Sequence, residues 1–164
     1  MTVTELITRN LTKERHIMPK FVLQRDNTAT GNNTFSGTNT FSGLVKATGS
    51  TAGVGYATGA GGTVTQTTSR STGVTINKVC GSITTDTTSL AAGAEATFTV
   101  TNSTVAATDV VNVCMKTITT GTPVAFVTAV AAGSFDITIS NLHASTADTS
   151  ADVINFAVLK SVAA

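Results

Sequence analysis

The C-terminal part of the chain consists of short apolar runs separated by turn residues, and this pattern restricts the possible folds more than any other feature. In the runs that hold Phe98 with Val100, and Phe135 with Ile137 and Ile139, apolar side chains recur at every second position. This period is typical of a strand with one solvated face. The runs cover 63–66, 73–77, 81–84, 96–101, 110–115, 124–129, 134–140 and 153–159. Eight short strands predict an all-β domain, a β-sandwich or jelly roll.

One run departs from this alternation. Val110, Val111, Val113 and Met115 nearly fill 110–115 with apolar side chains. Strands that are covered by protein on both faces read as continuous hydrophobic runs. We therefore predict that 110–115 is a central strand buried on both sides.

The composition fits a sheet protein with few charges. Charged residues make up 12% of the chain and hydrophobic residues 41%, whereas soluble domains carry about 25% charged residues. Thr favours strands, and Gly and Asn favour turns. The formal charge of +1 gives no electrostatic basis for nucleic acid or an anionic membrane as the main partner. The sequence contains neither an apolar membrane span nor a signal-peptide core, so we expect a soluble chain made in the cytosol.

Residues 27–62 are built differently, around a six-residue repeat. Asn33-Thr34-Phe35-Ser36-Gly37-Thr38 is followed directly by Asn39-Thr40-Phe41-Ser42-Gly43. One Phe in six residues cannot form a core within a single chain. We predict a stalk in which three chains meet, with Phe35 and Phe41 as inward rings. Gly37 and Gly43 would let the backbone turn outward after each ring.

The predicted stalk cannot hold three chains together unaided. Ordering an extended segment costs more conformational entropy than its few Phe side chains recover, so the stalk needs the domain behind it or a surface beneath it. Residues 44–62 continue as a Gly-rich linker. The alternative interpretation is a flexible linker in which the two Phe residues have no role.

Residues 1–26 form an N-terminal arm with a mild excess of positive charge. Five of the ten Lys and Arg residues lie here, beside three acidic residues. Residues 4–15 could form a short helix, although about twelve residues are marginal alone in water. The run 21–23 predicts a strand, either within the chain or added to the sheet of another protein. The candidate contact residues are Arg9, Lys13, Arg15, Phe21 and Arg25. A solvated segment is the alternative.

No group of residues has the pattern of an active site. His16 and His143 lie far apart without a Ser/His/Asp arrangement, and no carboxylate pair has a motif context. Cys80 and Cys114 lack the spacing of zinc ligands, so we expect buried, reduced thiols, with a disulfide as the alternative if their strands are neighbours. The glycines of 53–59 lack a dinucleotide-loop context and predict a turn, with Tyr56 as a packing residue. We predict no enzyme activity, no cofactor and no metal site.

Several segments resemble a β-sandwich module found in tailed-phage virion proteins. The most specific is Gly-Tyr-Ala-Thr-Gly-Ala-Gly-Gly-Thr-Val-Thr-Gln at 55–66, followed by Thr-Gly-Val-Thr-Ile-Asn-Lys at 72–78. Further similarity lies in Gly-Ser-Ile-Thr at 81–84, Val-Ala-Ala-Gly-Ser-Phe at 130–135 and Ile-Asn-Phe-Ala-Val-Leu-Lys at 154–160. The resemblance covers about residues 53–160. It implies a capsid-decorating cement or head-fibre protein, which in this family is often a trimer and sometimes the end of a tail fibre.

Combined with the arm and the Phe repeat, the resemblance leads to a hypothesis for each region. Residues 1–26 would be a capsid-binding arm, 27–62 a stalk and linker, and 63–164 a sandwich knob. The implied partners are the major capsid protein and two further copies of the chain, and the implied location is the capsid surface of a virion assembled in the host cytoplasm. The alternative is a trimeric tail-fibre or receptor-binding tip that recognises a host-surface glycan. The lack of Trp and the single Tyr weigh against a sugar site.

Overall fold

The computed structural model describes residues 34–51 and 53–162. The chain divides into two units, Met1–Lys46 and Ala47–Ala164. In the first unit, the described residues 34–46 contain no helix and no strand. The arm, with its predicted helix at 4–15 and strand at 21–23, lies outside the described residues. Within the described ranges, no helix is long and apolar enough to cross a membrane.

The second unit contains eight strands. In chain order they are β1 (Gly61–Thr65), β2 (Val74–Thr75), β3 (Cys80–Thr84), β4 (Glu95–Thr101), β5 (Val110–Thr117), β6 (Pro123–Ala131), β7 (Ser134–Asn141) and β8 (Val153–Leu159). Each of the eight predicted runs overlaps one of these strands. The all-β prediction with eight strands is therefore confirmed for the described residues.

The strands form two four-stranded sheets that face each other. The first sheet has the order β1-β3-β8-β5 and the second has the order β2-β4-β7-β6. β1 pairs with β3 in parallel, as β2 does with β4, and the other neighbours are antiparallel. The two parallel pairs differ from the antiparallel neighbours that are typical of a jelly roll.

The core between the sheets follows from the alternation of apolar side chains. In β4, Phe98 and Val100 are buried, while the alternating Thr97, Thr99 and Thr101 are exposed. In β7, Phe135, Ile137 and Ile139 point to the same core. The first sheet contributes chiefly Ile83, Val111, Ile154, Phe156 and Val158. The predicted period-2 strands are confirmed, and the domain is a β-sandwich.

The prediction for 110–115 is wrong. β5 is an edge strand, paired only with β8. Val111 is buried and Val113 packs against the core, whereas Val110 is 50% exposed. The apparent continuity arose because two valines stand side by side at the start of the strand, one on each face. The central position next to β5 belongs to β8.

The two cysteines are free. Cys80 in β3 is opposite Ala157, and Cys114 in β5 is opposite Asn155, so β8 runs between them. Two strand spacings amount to about 10 Å, beyond the reach of about 7 Å for the Cα atoms of a disulfide. Cys80 is half-buried, but Cys114 is exposed, which corrects the expectation that both thiols are buried.

Candidate functional site

The Phe repeat presents its aromatic side chains to solvent in the single chain. Phe35 is 69% exposed and Phe41 is 67% exposed. Gly37 has a φ of +77°, in the left-handed region that favours glycine. Gly43 has no positive φ, so the two copies of the repeat differ in backbone conformation. The repeat therefore contains two large apolar side chains that the single chain does not cover.

Exposure continues beyond the repeat. Every described residue in 34–59 is exposed, and no helix or strand occurs among them. The apolar members include Leu44 at 80%, Val45 at 54% and Val54 at 86%. Contiguous exposed apolar patches are common at sites of interaction with other molecules.

The five arm residues predicted to contact a partner lie outside the described residues. They are Arg9, Lys13, Arg15, Phe21 and Arg25, and the first described residue is Thr34. Their role as a binding arm stays a prediction.

Tyr56 fastens the Gly-rich segment to the sandwich. Its hydroxyl donates to the carbonyl of Val158 in the central strand β8. The neighbouring turn is closed by the amide of Ala60, which donates to the carbonyl of Ala57 at 3.2 Å. The Lys78 ammonium donates to the carbonyl of Gly59 at 3.3 Å. The turn is limited to 57–60, and Tyr56 is 44% exposed and held by a hydrogen bond, which corrects the interpretation of Tyr56 as a packing residue.

The outer faces of the two sheets differ in charge. The outward side chains of the first sheet are mostly uncharged and include one charged group, the exposed Lys116 of β5; Val110 and Leu159, half-exposed, stand opposite each other in β5 and β8. The second sheet carries Glu95 and Asp136, the latter accepting from the Thr99 hydroxyl at 2.7 Å.

A buried charged cluster joins the loops at one end of the sandwich. Arg70 Nη1 lies 3.0 Å from Asp148 Oδ2 and 3.5 Å from Asp152 Oδ2, with the three side chains at most 3% exposed. Arg70 also donates through Nε to the carbonyl of Thr88 at 2.6 Å and through Nη2 to that of Ser150 at 2.8 Å. One guanidinium therefore connects the segments 66–72, 85–90 and 142–152, and we call these three side chains the Arg70 cluster.

The two carboxylates of the Arg70 cluster differ in their partners. Asp148 Oδ1 accepts from the Thr120 hydroxyl at 3.0 Å and from the Ser150 amide at 3.0 Å. The Ser150 hydroxyl lies 2.7 Å from Asp148 Oδ1 and 2.9 Å from Asp152 Oδ1. A hydroxyl has one hydrogen, so it donates to one carboxylate at a time. Asp148 is thus better supplied with donors than Asp152.

Because their hydrogen-bond donors differ, the carboxyl groups of Asp148 and Asp152 have different pKa values. Burial, with the adjacent Asp148 as a further cause, raises the pKa of Asp152 to about 6. Burial also acts on Asp148, but hydrogen bonds from Asp152 and Ser150 outweigh it and hold the pKa of Asp148 below 3.8. Below about pH 6, Asp152 therefore carries the proton of the pair and Asp148 the negative charge.

A second charged contact fixes the chain after β8. Asp109, with a side chain 1% exposed, forms an ion pair with Lys160. The amide of Ala106 donates to Asp109 Oδ2 at 2.8 Å and that of Ser161 to Oδ1 at 3.3 Å. The hydrogen bond from Ala106, and then that from Lys160, hold the pKa of Asp109 below 3.8. This contact has a structural role in closing the sandwich at its other end.

The imidazole of His143 has a local structural role. His143 Nδ1 accepts from the amides of Ser145 at 3.1 Å and Thr146 at 2.8 Å, so the imidazole organises its own loop. Among residues 34–51 and 53–162, no group of three or more His, Cys, Asp or Glu side chains could hold a metal ion. His16 lies outside these ranges.

Sequence reasoning missed the Arg70 cluster. Its acidic members are four residues apart in Asp-Thr-Ser-Ala-Asp at 148–152, but their basic partner is 78 residues away. The one available signal is that Arg70 is the single charged residue between 63 and 77. An isolated charge in an otherwise uncharged strand-and-turn region favours a buried, paired role over a solvated one.

Comparisons with protein-family models, with curated proteins and with solved structures found no match to this chain.

Proposed function

We propose that this chain is a structural virion protein that binds and stabilises a phage capsid surface as a homotrimer. In this proposal, residues 1–26 bind the major capsid protein, the Phe repeat joins three copies, and the sandwich projects as a knob. The observation that carries the proposal is the exposure of Phe35 and Phe41, at 69% and 67%, in a segment whose described residues form no core.

Association of three chains would bury the side chains of Phe35 and Phe41, which are exposed in the single chain. Burying one Phe side chain contributes about 1.5–3 kcal/mol, and each ring would meet the equivalent rings of two other copies. The left-handed φ of Gly37 lets the chain turn immediately after the first ring. Two stacked rings would define the register of the three chains, because each repeat offers one Phe.

The sandwich has properties that suit a knob held on such a stalk. Tyr56 and Lys78 attach the linker to β8 and to the turn before β3, so the chain enters the domain at a defined point. The domain surface carries few charges, and the one charged side chain on the outer face of the first sheet is Lys116. A neutral, Thr-rich surface limits nonspecific electrostatic contacts with the surroundings.

Attachment through three arms explains how segments with only a small positive charge could hold the protein stably on a capsid. Each arm has only a small excess of positive charge, so one arm alone would bind weakly. Once one arm of a trimer is bound, binding of the second and third becomes intramolecular, which raises the overall affinity without new contacts.

The oligomeric part of the proposal is tested by the mass of the full chain in solution. Light scattering after size exclusion should give three times the chain mass of 16.6 kDa. The double variant Phe35→Ser/Phe41→Ser should shift the mass toward that of the monomer. Phe126→Ser is the matched control, because Phe126 is 42% exposed on the second sheet and outside the repeat. An unchanged trimer in the double variant contradicts the stalk.

The capsid part is tested by cosedimentation with purified capsids. The full chain should pellet with capsids, and a chain that lacks residues 1–26 should stay in the supernatant while its far-ultraviolet circular dichroism keeps the β signal. A truncated chain that still pellets with capsids would contradict the proposal that residues 1–26 bind the capsid. A trimer that binds host cells and not capsids would favour the receptor-binding alternative.

A further inference from the structure

We propose that the Arg70 cluster is a proton-controlled latch, which holds the loop 142–152 against the neighbouring loops when Asp152 is protonated and loosens it when Asp152 ionises. The inference concerns the sandwich alone and is independent of the trimer and of capsid binding.

The geometry of the cluster provides one positive charge for two carboxyl groups. Both Oδ2 atoms approach the same nitrogen, Arg70 Nη1, at 3.0 and 3.5 Å. Because the three side chains are almost fully buried, water cannot screen the two carboxylates from each other. A proton on Asp152 removes the repulsion and provides a donor to Asp148. With the proton, the buried group is one ion pair and one neutral acid, and without it one negative charge is left unpaired.

Among the described residues, Arg70 is the one positive charge that forms an ion pair with Asp152. Lys116 of β5 lies beside Thr117, which is opposite Val153, but its side chain is exposed. The other titratable side chains of the surrounding segments, besides Asp148, are Asp86, in the segment after β3, and His143, in the loop after β7. Asp86 accepts from the amide of Thr88 at 2.8 Å and adds negative charge near Arg70. His143 accepts from its own loop. The segment 118–122 contributes only the Thr120 hydroxyl, which donates to Asp148.

The loop that the latch holds is attached by a small number of bonds. Leu90 and Asp148 exchange two backbone hydrogen bonds, at 2.8 and 2.9 Å. Thr85 donates through its amide to the carbonyl of Asp152 at 2.8 Å, and its hydroxyl accepts from the Asp152 amide at 2.9 Å. Asn141 donates to the carbonyls of Leu90 and Thr146. Repulsion at Asp152 therefore acts directly on the residues that anchor the loop.

The direction of the pH effect follows from the affinity of Asp152 for its proton. The folded protein holds that proton with a pKa of about 6, whereas the ordinary value is 3.8. The stabilising contribution is fully present below 3.8 and is lost as the pH rises through about 6. The latch is closed at pH 5 and loosened at pH 8.

Amide hydrogen exchange tests the latch. Protection factors, which correct for the intrinsic pH dependence of exchange, are measured by NMR at pH 5 and pH 8. The amides of Thr85, Leu90 and Asp148 should lose about tenfold in protection or more between these values, since one unit of pKa corresponds to a factor of ten. The amides of Asn102 and Gly133, which are bonded at the opposite end, should change little.

Two variants assign the response to Asp152. Asp152→Asn is neutral at every pH and keeps an amide donor, so the protection of the loop should become independent of pH. His143→Asn keeps an acceptor for the loop amides but cannot titrate, and it should retain the wild-type response. Histidine is the control because its side chain ordinarily changes charge in this pH range.

If Asp152→Asn does not fold, the side-chain carboxyl carbon of Asp152 is titrated directly by NMR in the wild-type protein. A midpoint between pH 5 and 7 agrees with the latch, and a midpoint below 4.5 overturns it. Equal protection at pH 5 and 8 overturns it, as does an unchanged pH response in Asp152→Asn. Equal losses at Asn102 and Gly133 would show that the whole domain, and not the loop, responds.

Discussion

The Phe135 and Phe156 rings meet inside the sandwich, with their centroids 5.6 Å apart and their planes tilted by 48°. Phe135 belongs to β7 of the second sheet and Phe156 to β8 of the first, and both are buried. Tilted contacts of this kind are favourable beyond the area that they bury. The pair therefore joins the two sheets at the middle strands of the domain.

Removal of either ring should strongly destabilise the domain. We expect Phe156→Ala and Phe135→Ala each to lower the free energy of unfolding by about 3–5 kcal/mol, because each leaves a cavity between the sheets. Phe126→Ala, at an exposed position, should cost well under half of that. Urea unfolding followed by circular dichroism measures all three variants. A loss below about 1 kcal/mol for both core variants would contradict the described core.

The glycine at 121 should be harder to replace than the glycine at 133. Both have positive φ, +66° and +83°, and Ala in this region costs about 1–2 kcal/mol. A Cβ at 121 would lie 2.8 Å from Asp148 Cβ, whereas one at 133 meets nothing within 4 Å. Overpacking of this kind adds about 1–3 kcal/mol. We therefore expect Gly121→Ala to unfold at lower urea concentration than Gly133→Ala, and equal midpoints would contradict this packing.

Stability should fall in acid through Asp109. Its pKa is held below 3.8, first by the amide of Ala106 and then by Lys160. A lowered pKa in the folded state contributes stability above pH 3.8 that is lost as the pH falls through the folded value. Urea midpoints measured from pH 5 to pH 2 should decline. Asp109→Asn should flatten this decline, and Lys160→Met should flatten it only in part, because the Ala106 amide remains. A decline unchanged in Asp109→Asn would remove this residue as a cause.

The strands were predictable because their signal is local. In β4 and β7, the alternation of apolar and polar side chains decides both the secondary structure and the buried face. The ends were less predictable, since β2 is reduced to Val74–Thr75 although 73–77 has a strand-like composition. The parallel pairing of β1 with β3 and of β2 with β4 depends on contacts between distant parts of the chain. A local sequence pattern does not predict such contacts.

The errors also arose where a position depends on distant partners. Whether Val110 faces the core or solvent depends on the edge position of β5, which the sequence of the strand does not specify. Asn102 and Asn141 directly follow the predicted strand runs 96–101 and 134–140, where a polar side chain gives no sign of burial. Both are fully buried, and each connects loops through its side-chain amide. The Arg70 cluster combines side chains from two loops that lie far apart in the chain, so only the fold brings them together.

The central claim, that the chain decorates a capsid, is tested most directly by its copy number in purified virions of the phage that carries its gene. Quantitative mass spectrometry compares peptides from the sandwich with peptides from the major capsid protein. Decoration of the capsid by trimers predicts tens to hundreds of copies of the chain per virion, in multiples of three. The absence of the chain from purified virions, or a handful of copies confined to the tail, would contradict it.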